Sequence, residues 1–237
     1  MSSVNAGNSK IDVDGLLQLA REKSIDGRKA LLRAISDLFE GRSEELNERE
    51  TTLMHAILHQ LVSDTEKEVR KAVAEQFADS QYISADIVRE LANDDIEVAF
   101  SVLKKSSLLR DPDLIEVIRN RTFEHQLAVA QRESISASVS GALVETENES
   151  VVVALLNNSG AEISRKTREY LVDESERVDT FQDPLLQRSD LEPDLAQKMY
   201  VWVSAALRRH ILAEYDLDQD VVDDLLEQVA VLEEHGR

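Results

Sequence analysis

AVAEQFADSQYISADIVRELA (72–92), SVLKKSSLLRDPDLIEVI (101–118), AVAQRESISASVSGALVE (128–145), ALLNNSGAEISRKTREYLV (154–172) and PLLQRSDLEPDLAQKMYVWV (184–203) decide the fold when laid under one another. Each passes from a small-plus-aliphatic helix end, through a polar pair and a short turn, into another amphipathic helix. The anchors Ala74, Leu103, Ala130, Leu156 and Leu186 follow at intervals of 29, 27, 26 and 30 residues. Two short helices per unit at such a period predict a helical solenoid, because one unit alone cannot bury its apolar face and must stack on its neighbours. The variable spacing leaves an irregular helical bundle as the alternative.

Working outward, residues 1–10 are rich in Ser, Asn and Gly and read as a disordered tail. Leu16, Leu17, Leu19 and Ala20 mark a first amphipathic helix. Ala30, Leu31, Leu32, Ile35, Leu38 and Phe39 mark a second, with Gly41 as its stop. The stripe Leu53, Met54, Ile57, Leu58, Leu61 and Val62 predicts a helix over 46–64, and Val69, Ala72, Val73 and Phe77 another over 65–77. Beyond the repeats, Pro193 to about Glu214 reads as one longer helix, with Pro193 in its first turn and Asp190 helping to open it. Val221, Val222, Leu225, Leu226, Val229 and Leu232 predict a last helix over 218–234. Residues 211–237 hold nine acids and one base, so this end contributes −8 of the chain's net charge of −20. The expected organisation is a tail (1–10), a HEAT-like repeat domain (11–215) and an acidic C-terminal helix (216–237) that caps the stack.

Composition agrees with an all-α chain. Of 237 residues, 42% are hydrophobic but only 4% aromatic, so the core is expected to be Leu, Val, Ile and Ala. Seven Gly and three Pro are too few for the turns of a many-stranded fold. The charge of −20 repels phosphate backbones and anionic membranes, which disfavours nucleic acid as a partner. The absence of cysteine removes disulfides and thiolate metal sites. No apolar run approaches a membrane span, and the polar start does not read as a secretory signal, so a cytoplasmic protein is expected.

LMHAILHQLVSDTEKEVRKAVAEQFAD (53–79), LANDDIEVAFSVLKKSSLL (91–109) and YVWVSAALRRHI (200–211) resemble an uncharacterised alphaproteobacterial family of HEAT-like helical proteins, catalogued as a domain of unknown function. The resemblance runs from about Leu16 to Ile211. It implies an α-solenoid related to HEAT and leucine-rich-variant repeats, and brings no catalytic residues with it.

The position after each anchor carries Lys104-Lys105, Gln131-Arg132, Asn157-Asn158 and Gln187-Arg188, with Lys67, Arg70 and Lys71 on the earlier equivalent helix. In a HEAT-type stack the second helix of each pair lines the concave surface. Lys71, Lys104, Lys105, Arg132 and Arg188 would then form a basic ladder for an acidic or phosphorylated segment. The competing reading is that cations at helix C-termini complement the macrodipole, at about 0.3–1 kcal/mol each. Trp202 is either an interface anchor or a core residue closing the stack.

His55 and His59 share a helix face but lack a third metal ligand and the HExxH pattern. No nucleophile elbow, phosphate loop or dinucleotide fingerprint occurs. The expectation is therefore a cofactor-free, non-catalytic scaffold or adaptor for a protein partner. The rivals are an enzyme on a HEAT-like scaffold (glycosylase-like or tetrapyrrole-lyase-like) and a homodimeric structural protein joined through the last helix.

Overall fold

The computed structural model describes residues 19, 22–42, 48–63, 66–215, 217 and 219–235. The expected tail over 1–10 and most of the first amphipathic helix lie outside them. Among the described residues the chain forms fourteen α-helices, one 3-10 helix and no strand; a lone parallel bridge joins Ile135 to Ala161. The chain divides after Val117 into two compact units.

The first unit holds α1 (Ile25–Arg42), α2 (Glu48–Ser63), α3 (Lys67–Phe77), α4 (Ala85–Ala92), α5 (Ile96–Lys105) and the greater part of α6 (Asp111–Asn120). α3 packs against α1 on one side and α5 on the other, while α2 packs against α4. Helices two apart in sequence are thus neighbours in space. The sequence reason is visible in α4, where Ile87, Val88, Leu91 and Ala92 are all buried and present one apolar face to the neighbouring helices. α1 ends one residue beyond the stop expected at Gly41.

The second unit holds α7 (Phe123–Ala130), α8 (Ala137–Val144), α9 (Glu149–Leu156), α10 (Arg165–Glu174), a 3-10 turn (Asp179–Phe181), α11 (Gln182–Leu186), α12 (Pro193–Met199), α13 (Ala205–Glu214) and α14 (Gln219–His235). Here too alternate helices pair: α7 with α9, α9 with α11, α11 with α13, and α10 with α12. These helices are short, so their ends matter. Ser136, Asn148, Ser164 and Ser204 each accept a hydrogen bond from the backbone N–H three residues on, at a typical worth of about 1 kcal/mol per cap.

All five anchors are buried, with exposures of 0–2%. One expected helix is two. The chain leaves the helical path after Met199 and restarts at Ala205, with Ser204 as N-cap. The break is tolerated because Arg208 donates to the Tyr200 carbonyl (3.0 Å) and the Val201 carbonyl (3.2 Å), which would otherwise lack helical partners. Pro193 does occupy the first helical position, but Glu192 precedes it and Asp190 is held by arginines instead.

Candidate interaction site

The two units repeat one ionic device. In α3, Lys67 and Arg70 stand at the first and fourth positions. Lys67 meets Glu97 at 2.6 Å and Arg70 meets Asp94 at 2.5 and 2.8 Å, at the start of α5. In α10, Arg165 and Arg168 hold the same positions. Arg165 meets Asp194 at 2.5 Å, and Arg168 meets Glu192 at 2.6 and 2.9 Å, at the start of α12. Each basic pair therefore ties one helix to acids at the positive N-terminal end of the next-but-one helix.

Burial alone would raise the Asp94 carboxyl, but the Arg70 hydrogen bond and the Asp95 N–H hold it below the usual carboxylate range. The Arg168 hydrogen bond does the same for Glu192 and outweighs its burial. These cations are committed to structure.

Two of the residues after the anchors, Asn158 and Arg188, are committed as well. The Asn158 amide donates to the carbonyls of Ala130 (2.9 Å) and Arg132 (2.7 Å). Arg188, with a side chain only 6% exposed, donates to Leu156 (3.2 Å), Asn158 (3.0 Å) and Ala161 (2.9 Å). Its remaining N–H groups grip Asp190 at 2.8 and 2.9 Å. The Leu186 carbonyl in turn takes His210 and Tyr215, both at 3.2 Å. Anchors Ala130, Leu156 and Leu186 thus have their helix-terminal carbonyls satisfied by side chains 24 to 32 residues further along the chain, as orphan helix-end acceptors require. The Arg188 guanidinium is accordingly occupied by these carbonyls and by Asp190.

The other expected residues have separate local surroundings within their own units. Lys71 faces Glu75 one turn on, at 3.9 Å. Lys104 lies over the exposed Phe100 ring, 5.7 Å from its centroid, and Lys105 is the exposed last residue of α5. Arg132 is half-buried. Trp202 lies half-buried in the α12–α13 turn, its indole N–H donating to Ser175 at 3.2 Å. His55 bonds to the Tyr82 carbonyl (2.6 Å), whereas His59 lies 3.8 Å from Glu90. Among the described residues no group of three or more His, Cys, Asp and Glu is placed to hold a metal ion. No helix among them is long and apolar enough to cross a membrane.

Among the described residues of the second unit are the following clefts. One, of about 360 Å³, is bordered by the post-anchor residues Asn157, Gln187 and Arg188 with Ser159, Ser189 and Asp190. The other two, of about 410 and 390 Å³, share Val144, Glu147 and Tyr170 as a common wall. The apolar lining of the larger comes from Val144, Val152, Leu171 and Phe181, each 7% exposed or less, whereas Val144 is the one aliphatic side chain in the smaller. Tyr170 stands out from this lining at 46% exposure. Gly141 opens the far side, with no atom where its Cβ would be. Four carboxylates (Glu145, Glu147, Glu149, Glu174) and two cations (Lys166, Arg177) border the pair. Arg177 is held by Glu174 at 2.5 Å.

Glu147 belongs to both clefts and has a φ of 54°, the only left-handed non-glycine among the described residues. Tyr170 was hidden in the sequence by its neighbours, since Leu171 and Val172 carry the buried stripe of α10 while Tyr170 lies one step off it.

A family model described as an uncharacterised protein conserved in bacteria (DUF2336) matches residues 98–235. No curated protein and no solved structure matches the chain.

Proposed function

The chain belongs to that uncharacterised bacterial family, and from this footing we propose that it is a non-catalytic interaction scaffold, a short HEAT-like stack of helix pairs that binds a segment of another protein. The stacking reading draws on alternate helices pairing within each unit and on the helix-end bonds that recur from anchor to anchor. The observation that carries the binding reading is the half-exposed Tyr170 shared by two adjoining clefts, one of them lined by Val144, Val152, Leu171 and Phe181. An amphipathic ring beside pockets of side-chain size is what a protein-recognition surface needs. A docked segment would run past Tyr170, whereas Arg188, one of the cations expected in the binding ladder, is taken up by carbonyls of Leu156, Asn158 and Ala161.

Affinity purification of the tagged full chain beside its Tyr170→Ala variant tests this. The proposal expects at least one partner to be lost selectively from the variant. An unchanged partner list would contradict it.

A homodimer through α14 is the second reading. Leu226 and Val231 on that helix are each 49% exposed, although Leu225 and Val229 are buried. Solution mass that falls from dimer to monomer on Leu226→Glu would favour it, and a monomeric wild type would remove it.

A further inference from the structure

Resting on the scaffold reading above, we propose that the paired clefts around Tyr170 take a basic segment, with an arginine side chain of the partner laid on the Tyr170 ring and its charge held by Glu147. The ring is 46% exposed, and a guanidinium stacks on such a face more readily than any other common side chain. The carboxylates bordering the clefts outnumber the cations four to two. Of those cations, Arg177 is already engaged by Glu174. An acidic or phosphorylated segment would therefore meet net repulsion here, and the chain's charge of −20 adds long-range attraction for a cation.

Glu147 is placed to serve both clefts at once. It occupies the α8–α9 turn in the left-handed region, where a residue with a Cβ is costly and a glycine would be easier. The turn itself is held by Thr146, whose hydroxyl donates to the Leu143 carbonyl at 2.7 Å, and by Asn148, which caps α9. The clefts measure about 390 and 410 Å³, each enough for side chains and too small for a whole helix. They suit an extended segment that puts aliphatic side chains against Val144 and Phe181 and an arginine between them.

The test is fluorescence anisotropy on the full chain with short fluorescein-labelled peptides in which leucine alternates with arginine, with glutamine or with glutamate. The arginine peptide is expected to bind at least about tenfold more tightly than the glutamine peptide, and the glutamate peptide not at all. Tyr170→Ala and Glu147→Gln should each weaken the arginine peptide roughly five- to tenfold. Tyr170→Phe, which keeps the ring, should stay within about twofold of the wild type. Glu133→Gln, an equal loss of charge outside these clefts, should also leave binding unchanged.

Equal weakening by Glu133→Gln and Glu147→Gln would mean unspecific attraction to an acidic protein and would overturn the inference. Preference for the glutamine or glutamate peptide, still lost in Tyr170→Ala, would overturn the basic-segment inference while leaving the scaffold reading intact. Binding of no peptide, with the partner list still altered by Tyr170→Ala, would do the same. Failure of both experiments would remove the scaffold reading as well.

Discussion

Replacing Arg188 with methionine keeps the aliphatic stem in place and removes the guanidinium. The loss removes three donated bonds, to the carbonyls of Leu156, Asn158 and Ala161, each now made at 2.9–3.2 Å, and leaves the Asn158 carbonyl with only the Ala161 N–H (3.1 Å). With a net worth of about 1–1.5 kcal/mol per bond from a charged donor to a partly hydrated acceptor, the cost is about 3–4.5 kcal/mol. Asp190 changes the sum little, because at 39% exposure its carboxylate is rehydrated once released. Against a typical domain stability of about 5–15 kcal/mol this is a large fraction.

Urea unfolding followed by Trp202 fluorescence is the assay, since the only tryptophan lies in the second unit and bonds to Ser175 there. With a slope of about 2 kcal/mol/M, the midpoint should fall by roughly 1.5–2 M. Arg188→Lys should recover less than half of the loss, because an ammonium cannot span three acceptors and a carboxylate in one plane. A shift corresponding to less than about 1 kcal/mol for Arg188→Met would refute the reasoning that this arginine is a helix-end clasp.

Other consequences follow from the same geometry. Asn158→Ala loses two donated bonds and the acceptor for the Gly160 N–H (2.9 Å), and should cost about 1.5–3 kcal/mol by the same assay. Gly160→Ala places a Cβ inside the van der Waals radius of the Glu133 carbonyl oxygen, so the melting temperature should drop by several degrees or more, at about 2 kcal/mol. Glu147→Gly relieves the left-handed cost of about 1–2 kcal/mol and adds about 0.5–1 kcal/mol of chain entropy to the unfolded state, so it should stabilise the protein by a fraction of a kilocalorie to about 1 kcal/mol while weakening the arginine peptide.

Glu192 titrates below the ordinary range when folded, so its contribution is complete above the unfolded value of about 4.3 and is lost as pH falls through the lower folded value. The stability gap between wild type and Glu192→Gln should therefore be widest near neutrality and close progressively below about pH 4. A gap that widens with acid would reverse the sign and contradict the assignment.

Much of the helical framework was legible because burial in a helix has a period. The anchors Ala74, Leu103, Ala130, Leu156 and Leu186 recur with small and aliphatic neighbours, and every one of them is buried. Direction was not legible. Arg188 and Asn158 look solvent-facing in sequence because both follow a helix end, yet their acceptors lie 26 to 32 residues earlier. No local pattern reports a bond across that distance. The break at Tyr200–Ser204 was missed because YVWV continues the apolar run; Ser204, followed three residues on by Leu207, was the available cap signal.

Tyr170 went unremarked in the sequence, and it lies beside the buried Leu171 and Val172 of α10. The cues for its clefts were Gly141 in the middle of α8 and the polar ETENES turn, neither of which packing alone demands.

The central claim is that the surface around Tyr170 receives a protein. A photo-crosslinking amino acid placed at position 170 of the full chain in its native host tests that directly, with position 183 on exposed Asp183 as control. The account predicts discrete crosslinked species at 170 that are absent at 183, and whose purified partner binds the wild type at least about tenfold more tightly than Tyr170→Ala. The same diffuse products at both positions, or a partner indifferent to Tyr170→Ala, would contradict it.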